Sequence, residues 1–225
     1  MPATQPAGSV WGVLIAQPPK HTRDLLRRCF SPVEHEEFSC QPARRREGWL
    51  ASRLAVKSAY RCAGGRRILR HVFVQHDASG GPVLVGVRGW RCSLAHAGSA
   101  GAGVVARVPV GVDLERADRH GWATMRTVAE AAEFARVAEA GVPDAFLPTV
   151  LWTLKEAALK GAGVGLALHP RRAVIAEHRA HDWVVRLPRA CAAGNTWSAT
   201  SRVQDGWAIA IARPLASRVA PGPGA

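Results

Sequence analysis

Two features that often classify a small protein are missing from this chain, namely paired cysteines and a long hydrophobic run. The five cysteines are Cys29, Cys40, Cys62, Cys92 and Cys191. They are odd in number, widely spaced and without a C-x-x-C pair, so they support neither a disulfide framework nor a zinc site. We expect free, mostly buried thiols in a reducing cytoplasm. The apolar segment 10–16 is too short to cross a bilayer and has no signal-peptide features, which also favours a cytoplasmic protein.

Acidic residues are scarce. The 225 residues include 17 Asp and Glu against 30 Lys and Arg, which gives a formal net charge of +13. This charge predicts an anionic partner, which could be nucleic acid, a membrane surface, a phosphorylated small molecule or an acidic protein. The 48% of hydrophobic residues suffices for the packed core of one large domain or two small ones.

Hydrophobic periodicity predicts strands that alternate with a few helices. In the first part of the chain, a strand at 10–17 precedes a helix start at Ser31-Pro32 and a longer helix over 44–61. Arg46, Arg53 and Lys57 share one face of that helix, a pattern typical of a solvated face. The following strands are predicted at 71–76, 82–87, 90–97 and 101–115, and Pro109 divides the last of these into two.

The second part of the chain begins with two helical patterns. We expect one helix over 124–141, which ends at a Gly-Val-Pro breaker, and a second helix over 147–163. Four strands should follow, at 172–178, 182–188, 196–203 and 207–214. The Pro/Gly-rich tail from residue 216 is expected to be disordered. We find no internal sequence repeat.

The segment GVDLE, residues 111–115, places Asp113 and Glu115 two apart on a predicted strand. Their side chains therefore point the same way, and two carboxylates on one face repel each other unless a cation lies between them. On the helix after it, Trp152, Glu156 and Lys160 stand in one row, so Glu156 could supply a third oxygen ligand. Oxygen ligands without His or Cys suit Mg²⁺ or Mn²⁺.

Two lysines lie close to these carboxylates in the sequence. Lys155 and Lys160 would repel a metal ion unless an anion lay between them, and Mg²⁺ usually binds through one or two carboxylates together with substrate phosphates. We therefore infer a metal-bound pyrophosphate as the ligand.

The combination of motifs resembles a known family. GVDLE, followed by W-x-x-K-E-A-x-x-K at 152–160 and G-x-G-L at 163–166, is similar to the signature of the 4'-phosphopantetheinyl transferases of the surfactin-synthetase-activating type. RRREGWLASR resembles the family's R-x-x-x-L-x-G-R helix, with Arg46 and Arg53 on the Arg positions. SLAHA, residues 93–97, resembles its S-x-S-H-S segment and keeps His96. Ala95 and Ala97 replace two serines of that segment. Gly80-Gly81-Pro82 resembles the family's G-K/R-P turn, with Gly81 in place of the basic residue. These departures bear on the affinity for coenzyme A and not on the reaction class.

This resemblance implies an α+β fold of two similar halves related by pseudo-twofold symmetry, with the active site between them. The N-terminal half, 1–108, would contact the coenzyme A nucleotide, and the C-terminal half, 109–215, would carry the metal and catalytic residues; 216–225 would be a disordered tail. The implied reaction is the Mg²⁺-dependent transfer of 4'-phosphopantetheine from coenzyme A to a serine of an apo acyl or peptidyl carrier protein, with release of 3',5'-ADP. We expect a monomer that serves polyketide, peptide or fatty-acid synthesis and binds neither nucleic acid nor membrane.

The resemblance also implies a role for each candidate residue. Asp113, Glu115 and Glu156 would hold Mg²⁺, with Mn²⁺ as an alternative, and Glu156 is also the candidate base for the carrier serine. Lys160 would contact the pyrophosphate, with Lys155 as its neighbour. The 3'-phosphate of the nucleotide would be held by His96, Arg46 and Arg53.

Two other functions remain open at this point. Arginine runs at 44–46 and 66–67 could belong to a nucleic-acid-binding protein, but no helix-turn-helix, zinc-finger or RNP motif accompanies them, and the carboxylates would be unexplained. The chain could also be a family member that no longer catalyses. The retention of the three acids and both lysines argues against that alternative.

Overall fold

The computed structural model describes residues 9–18, 22–118, 121–188, 191 and 194–215, so the expected disordered tail at 216–225 lies outside the described residues. The strands are β1 (Val10–Ile15), β2 (Phe73–His76), β3 (Pro82–Val85), β4 (Arg91–Ala97), β5 (Ala100–Ala106), β6 (Gly111–Arg116), β7 (Val174–Arg179), β8 (Asp182–Arg186), β9 (Thr196–Gln204) and β10 (Trp207–Pro214). The α-helices are α1 (Thr22–Cys29), α2 (Pro32–Cys40), α3 (Ala43–Cys62), α4 (Trp122–Val128), α5 (Ala131–Glu139) and α6 (Leu147–Gly161). Short 3₁₀ turns occupy Leu69–His71, Gly165–Ala167 and Pro170–Arg172.

The fold is α+β and consists of two similar halves. The first half contains an antiparallel sheet in the order β1-β5-β4 and the separate hairpin β2-β3, and the second contains an antiparallel sheet in the order β6-β10-β9-β8-β7. In each half the first strand pairs with the last one, and the last one pairs with the strand before it. A long helix follows the first strand in each half. The predicted fold class is therefore confirmed, and the halves resemble each other although the sequence shows no repeat.

Glycines allow the long helix of each half to approach its sheet closely. A Cβ atom added to Gly103 of β5 would overlap the backbone nitrogen of Val56 in α3. One added to Gly111 of β6 would overlap the backbone oxygen of Ala157 in α6. Any larger residue at either position would push the helix away from the strand, so these two glycines fix the depth at which each helix lies.

The two halves share a hydrophobic core. β5 and β6 are separated at residues 107–110, as Pro109 predicted, and β4 lies beside β6. The backbone N–H of Val112 donates to Ser93 Oγ at 3.1 Å across this junction. Buried aliphatic side chains from both halves pack here, including those of Val104 and Leu114, with Ile211 packed against them. This shared core holds β4 of one half against β6 of the other.

The segment at 124–141, which was predicted to be one helix, forms two. α4 ends at Val128 and α5 begins at Ala131. Glu130 adopts extended backbone angles, and its N–H donates to the Glu133 side chain at 2.9 Å, which completes a capping box. A capping box starts a new helix by satisfying N–H groups that would otherwise be exposed. The prediction of a continuous helix was wrong because the periodicity continues across this local cap.

The prediction of mostly buried thiols was only partly right. All five cysteines are free, and Cys92 and Cys191 are buried, but Cys40 and Cys62 are exposed. Both exposed thiols lie on the last residue of a helix, α2 or α3, where the chain turns at the surface. No helix in the described part of the chain is long and apolar enough to span a membrane.

Candidate functional site between the two halves

A pocket of about 680 Å³ opens between the two halves. From the first half it is lined by Trp49 and Arg53 of α3 and by His96 of β4. From the second half it is lined by Lys160, near the end of α6, and by residues 163–167. The pocket therefore brings Arg53, His96 and Lys160 together from segments that are far apart in the sequence.

Asp113 and Lys160 form an ion pair beside this pocket. Lys160 Nζ donates to Asp113 Oδ1 at 2.5 Å, and the Asp113 side chain is 6% exposed while that of Lys160 is 29% exposed. The other carboxylate oxygen of Asp113, Oδ2, is buried without a hydrogen-bond partner among the described residues. A buried carboxylate oxygen without a donor is energetically costly, which marks Asp113 as a site where a further cation or donor would be stabilising.

Lys160 lies in the field of all three predicted acidic site residues. Burial lowers the pKa of its ammonium, but Asp113, Glu156 and Glu115 together raise the pKa above its ordinary value. Burial raises the pKa of Asp113, with a further increase from Glu115, and Lys160 opposes the change. Glu156 is buried and Glu115 half-buried. The ammonium of Lys160 thus supplies positive charge to the carboxylate cluster.

The three carboxylates are not assembled into a metal site. In the described ranges, no group of three or more His, Cys, Asp or Glu side chains could hold a metal ion as arranged. The chemistry of the residues nevertheless fits a hard cation, because they offer carboxylate oxygens, and one of these, Asp113 Oδ2, is buried and available. Binding an ion here would require the side chains around Lys160 to rearrange.

His96 lies at the exposed rim of the pocket, against α3. Gly48 makes room for its imidazole, because a Cβ atom at that position would lie 3.1 Å from His96 Nδ1 and would overlap the carbonyl oxygen of Gly98. Partial shielding of the ring lowers the pKa of His96, and the nearby cations Lys160 and Arg45 lower it further. An imidazole surrounded by cations is suited to contact an anion.

Two of the three cations in the stripe on α3, Arg53 and Lys57, are not solvated, contrary to the sequence-based expectation, whereas the third, Arg46, is exposed. Arg53 is only 5% exposed, and Lys57 is 1% exposed. The Arg53 guanidinium lies 3.9 Å from the centroid of the Trp49 ring and donates to Glu37 Oε2 at 3.0 Å. It is therefore held rigidly in the pocket wall by a cation–π contact and an ion pair.

Arg46 is placed differently from Arg53. Its exposed side chain donates to the backbone oxygens of Gln41, at 3.0 Å, and Ser39, at 3.1 Å. These carbonyls lie at the end of α2, where a cation stabilises the helix. Arg46 does not line the pocket between the described parts of the two halves.

The side chain of Lys155 has different surroundings from that of Lys160, although both residues belong to α6. Its ammonium is fully buried, donates to Glu133 Oε1 at 2.8 Å and also contacts the backbone oxygen of Ala173 at 2.6 Å. Burial lowers the pKa of Lys155, and Glu133 opposes that change. These contacts give Lys155 a structural role, away from the residues that line the pocket.

Sequence analysis missed part of the pocket wall. Glu37, His76 and Ser79 line the pocket together with the turn 80–82. Asp77 Oδ1 shapes this turn by accepting hydrogen bonds from the N–H groups of Ser79 and Gly81, both at 2.9 Å. The family resemblance had already pointed to this turn through Gly81, and the turn signal D-A-S-G-G-P could have drawn attention to Ser79 as well. Nothing in the sequence indicates that the turn faces α6.

Comparison with known proteins gives one family match. Residues 109–212 match the model of the 4'-phosphopantetheinyl transferase superfamily. A comparison with curated proteins finds no match.

Two of the solved structures that match are complexes with coenzyme A. One is a holo-(acyl-carrier-protein) synthase from Bacillus anthracis str. Ames in complex with CoA (3',5'-ADP), with 20% identity, a TM-score of 0.39, and coverage of 43% of this chain and 91% of that one. The other is the ACPS–CoA complex of Chronobacterium ammoniagenes, with 18% identity, a TM-score of 0.36, and coverage of 44% and 95%. Both likenesses are weak. The segment that carries the carboxylate cluster and Lys160 is thus the part of the chain that matches the 4'-phosphopantetheinyl transferase superfamily.

Proposed function

We propose that this protein is a 4'-phosphopantetheinyl transferase of the surfactin-synthetase-activating type. It transfers 4'-phosphopantetheine from coenzyme A to a serine of an apo acyl or peptidyl carrier protein and releases 3',5'-ADP. The observation that carries the proposal is the partly buried Asp113–Lys160 pair, which lies at the pocket between the halves and within the segment that matches the superfamily.

The charges of the pocket suit the phosphates of coenzyme A. Lys160 lies where it could contact the pyrophosphate, and His96 and Arg53 on the opposite wall could hold the 3'-phosphate. Arg53 is well suited because its planar guanidinium is already oriented by Trp49 and Glu37. Arg46 could join them only by giving up its two carbonyl contacts.

Lys155 has no place in this binding scheme. Its ammonium is already satisfied by Glu133 and by backbone oxygens. Releasing it would leave Glu133 as an uncompensated buried charge, which is strongly unfavourable. We therefore assign the pyrophosphate contact to Lys160 alone.

The acidic residues would hold Mg²⁺, with Mn²⁺ as an alternative. Asp113, Glu115 and Glu156 provide carboxylate oxygens, and Asp113 Oδ2 is buried without a donor among the described residues. A bound divalent cation would add positive charge where the phosphates gather negative charge.

The chain's own residues would carry out the transfer as follows. A carboxylate oxygen of Glu156 accepts the proton of the carrier serine hydroxyl, and the serine oxygen attacks the phosphorus of the phosphopantetheine phosphate. The bond from that phosphorus to the bridging oxygen of the pyrophosphate breaks, and 3',5'-ADP leaves with the electron pair. Lys160 neutralises the charge that develops on the leaving phosphate.

The proposed protein is a cytoplasmic monomer. Its thiols are all free, which suits a reducing compartment. Both walls of the pocket come from one chain, so a second copy is not needed to complete it. The net charge of +13 suits an acidic carrier protein as the second substrate.

The direct test is to incubate the purified protein with coenzyme A, Mg²⁺ and a panel of apo carrier proteins, and to weigh the products by mass spectrometry. We expect at least one carrier to gain one phosphopantetheine on its serine, and the Asp113→Asn variant to leave the same carrier unmodified. Replacing coenzyme A by dephospho-coenzyme A, which lacks the 3'-phosphate, should weaken binding to wild type and have less effect on His96→Ala.

Two outcomes would contradict the proposal. Binding of coenzyme A without modification of any carrier would favour a member that no longer catalyses. Salt-resistant, sequence-selective binding of DNA or RNA, together with no binding of coenzyme A, would favour a nucleic-acid-binding protein. Weak nucleic-acid binding that disappears steeply with salt would only reflect counterion release.

A further inference from the structure

The carboxylate cluster already contains a cation, which is supplied by the chain itself. Lys160 Nζ lies 2.5 Å from Asp113 Oδ1, in a position where Asp113, Glu156 and Glu115 all act on it. The cluster would otherwise gather three negative charges close to the shared core of the two halves. Such an arrangement is unstable unless a positive charge lies within it.

Lys160 is also able to leave this position. It is the second-to-last residue of α6, its side chain is 29% exposed, and it borders the open pocket. Lys155 on the same helix offers a contrast, because it is fully buried and held by Glu133 and by the Ala173 carbonyl. Of these two lysines, only Lys160 has both an anionic partner in the site and a path into the pocket.

We propose that Lys160 is a resident counter-cation that competes with the divalent metal, so that its ammonium must leave Asp113 before the carboxylates can hold a metal ion. This inference rests on the proposed function, since it assumes a metal at these carboxylates. It explains why the described carboxylates do not form a metal-binding group in the present arrangement. Lys160 covers one oxygen of Asp113 and leaves the other, Oδ2, without a donor among the described residues.

The inference also links metal binding to coenzyme A binding. A pyrophosphate in the pocket would give the Lys160 ammonium a second anionic partner and draw it away from Asp113. Coenzyme A would then raise the affinity for the metal, and by thermodynamic reciprocity the metal would raise the affinity for coenzyme A by the same factor. Because pyrophosphate oxygens can also ligate a metal directly, this coupling alone does not identify the role of Lys160.

The diagnostic measurement is therefore metal affinity in the absence of coenzyme A. Mn²⁺ binding to the purified full chain would be followed by electron paramagnetic resonance, and Mg²⁺ binding by calorimetry, for wild type and Lys160→Gln. We expect Lys160→Gln to bind Mn²⁺ at least ~10-fold more tightly, within the usual range of coupling between two sites. Lys160→Arg keeps the cation and should show no such gain.

The matched control is Arg45→Gln. Arg45 is exposed on α3 and close enough to influence His96, so its removal takes one positive charge from the neighbourhood without breaking the contact to Asp113. A screened surface charge of this kind should change Mn²⁺ affinity by no more than ~3-fold. Adding Asp113→Asn to Lys160→Gln should abolish the gain.

Wild-type protein provides a test that needs no substitution. In protein with ¹⁵N-labelled lysine, the side-chain nitrogen signal of Lys160 should shift when saturating Mg²⁺ displaces the ammonium, whereas that of Lys155 should stay in place. A Lys160 signal that is unchanged at saturating Mg²⁺ would overturn the inference. So would a Lys160→Gln variant that binds metal as weakly as wild type or more weakly.

The outcomes also separate this inference from the proposed function. If wild type modifies a carrier but Lys160→Gln gains no metal affinity, the counter-cation role is wrong and the transferase function stands. If wild type neither binds a divalent metal nor modifies any carrier, both proposals fall.

Discussion

The N-terminal half contains a buried lysine–glutamate pair that fixes its long helix. Lys57 of α3 donates to Glu34 Oε2 at 2.9 Å, and its ammonium also contacts the backbone oxygens of Leu69 and Val72. Glu34 is the capping-box residue of α2, since its Oε2 accepts from the backbone N–H of Ser31. One buried pair thus joins two helices and the 3₁₀ turn that follows α3.

The C-terminal half contains the same arrangement. Lys155 of α6 donates to Glu133 at 2.8 Å, and its ammonium also contacts the backbone oxygens of Pro170 and Ala173, in and after a 3₁₀ turn. Glu133 is the capping-box residue of α5. The two halves therefore repeat a structural device as well as a strand order, although their sequences show no repeat.

The halves differ at their first strands. The third residue of β6 is Asp113, whereas the third residue of β1 is Gly12, and β1 contains no carboxylate. The second half thus carries the acidic cluster, and the first half provides Arg53 and His96 on the opposite wall of the pocket. The comparison indicates that the shared strand order and the buried lysine–glutamate pair have a structural role in both halves. The proposed chemistry depends on the residues that differ between the halves, namely the acidic cluster in the second and Arg53 and His96 in the first.

The largest expected effects are on stability and come from removing the lysine of either buried lysine–glutamate pair. Lys57→Met and Lys155→Met each leave a glutamate as an uncompensated buried charge, which should lower the free energy of unfolding by about 3–5 kcal/mol. Urea denaturation followed by circular dichroism would measure both variants. If the pairs are equivalent, the two losses should be similar.

The double variant Lys57→Met with Glu34→Gln is the matched control, because it removes both charges and should cost much less than Lys57→Met alone. A Lys155→Met variant that is as stable as wild type but no longer binds coenzyme A would contradict the structural role of Lys155. It would restore the ligand role that the family resemblance implied.

The next largest effect is on the rate of carrier modification and tests the role of the acidic cluster, which only the second half carries. Asp113→Asn, and separately Glu115→Gln and Glu156→Gln, should lower carrier modification at least 100-fold, equivalent to about 3 kcal/mol of transition-state stabilisation, because each removes a proposed metal ligand or base. Steady-state transfer assays with saturating Mg²⁺ would measure the loss.

Gly12→Ala is the counterpart in the first half. Its Cβ atom would meet Ile211 Cδ1 at 2.9 Å and Val104 Cγ1 at 3.2 Å, so it should reduce stability through overpacking. It should leave the rate of transfer by the folded protein close to that of wild type.

The outcome that would contradict the acid prediction is near-normal activity of Asp113→Asn, Glu115→Gln and Glu156→Gln, which would show that the carboxylates do not serve the reaction.

The sequence predicted most of the fold but little of the packing around the site. Periodicity and turn signals located the strands and both long helices, since these depend on local sequence. The burial of Arg53 and Lys57 could not be read from α3, because their partners Glu37 and Glu34 lie on another helix. The position of the Lys155 ammonium depends in the same way on Glu133 of α5. The motif spacing contains no information about Glu133, so the sequence analysis expected Lys155 beside Lys160 at the pyrophosphate.

The first half should contribute to substrate binding more than to the rate of transfer. Arg53→Gln removes a cation from the pocket wall and should raise the KM for coenzyme A by about 10-fold, with a smaller change in kcat, because a phosphate contact with a charged donor typically contributes about 1.5–3 kcal/mol. Arg46→Gln, outside the pocket lining, should have a smaller effect. A larger KM effect for Arg46 than for Arg53 would reverse their assignments.

The smallest expected effect concerns His96 and the pH dependence of stability. Shielding of the imidazole and the neighbouring cations, Lys160 and Arg45 among them, lower its pKa in the folded protein. The unfolded chain therefore binds a proton more readily at this residue, so His96 destabilises the fold as the pH decreases below about 6.5. Above that pH the imidazole is neutral in both states and has no such effect.

His96→Gln should consequently lose less thermal stability than wild type between pH 7.5 and pH 5.5. The other eight of the nine histidines are common to both proteins and cancel in the comparison. Melting temperatures measured across this range would decide the point, and a steeper decrease for His96→Gln than for wild type would mean that the protonated imidazole is stabilised in the folded protein, against the cationic surroundings seen here.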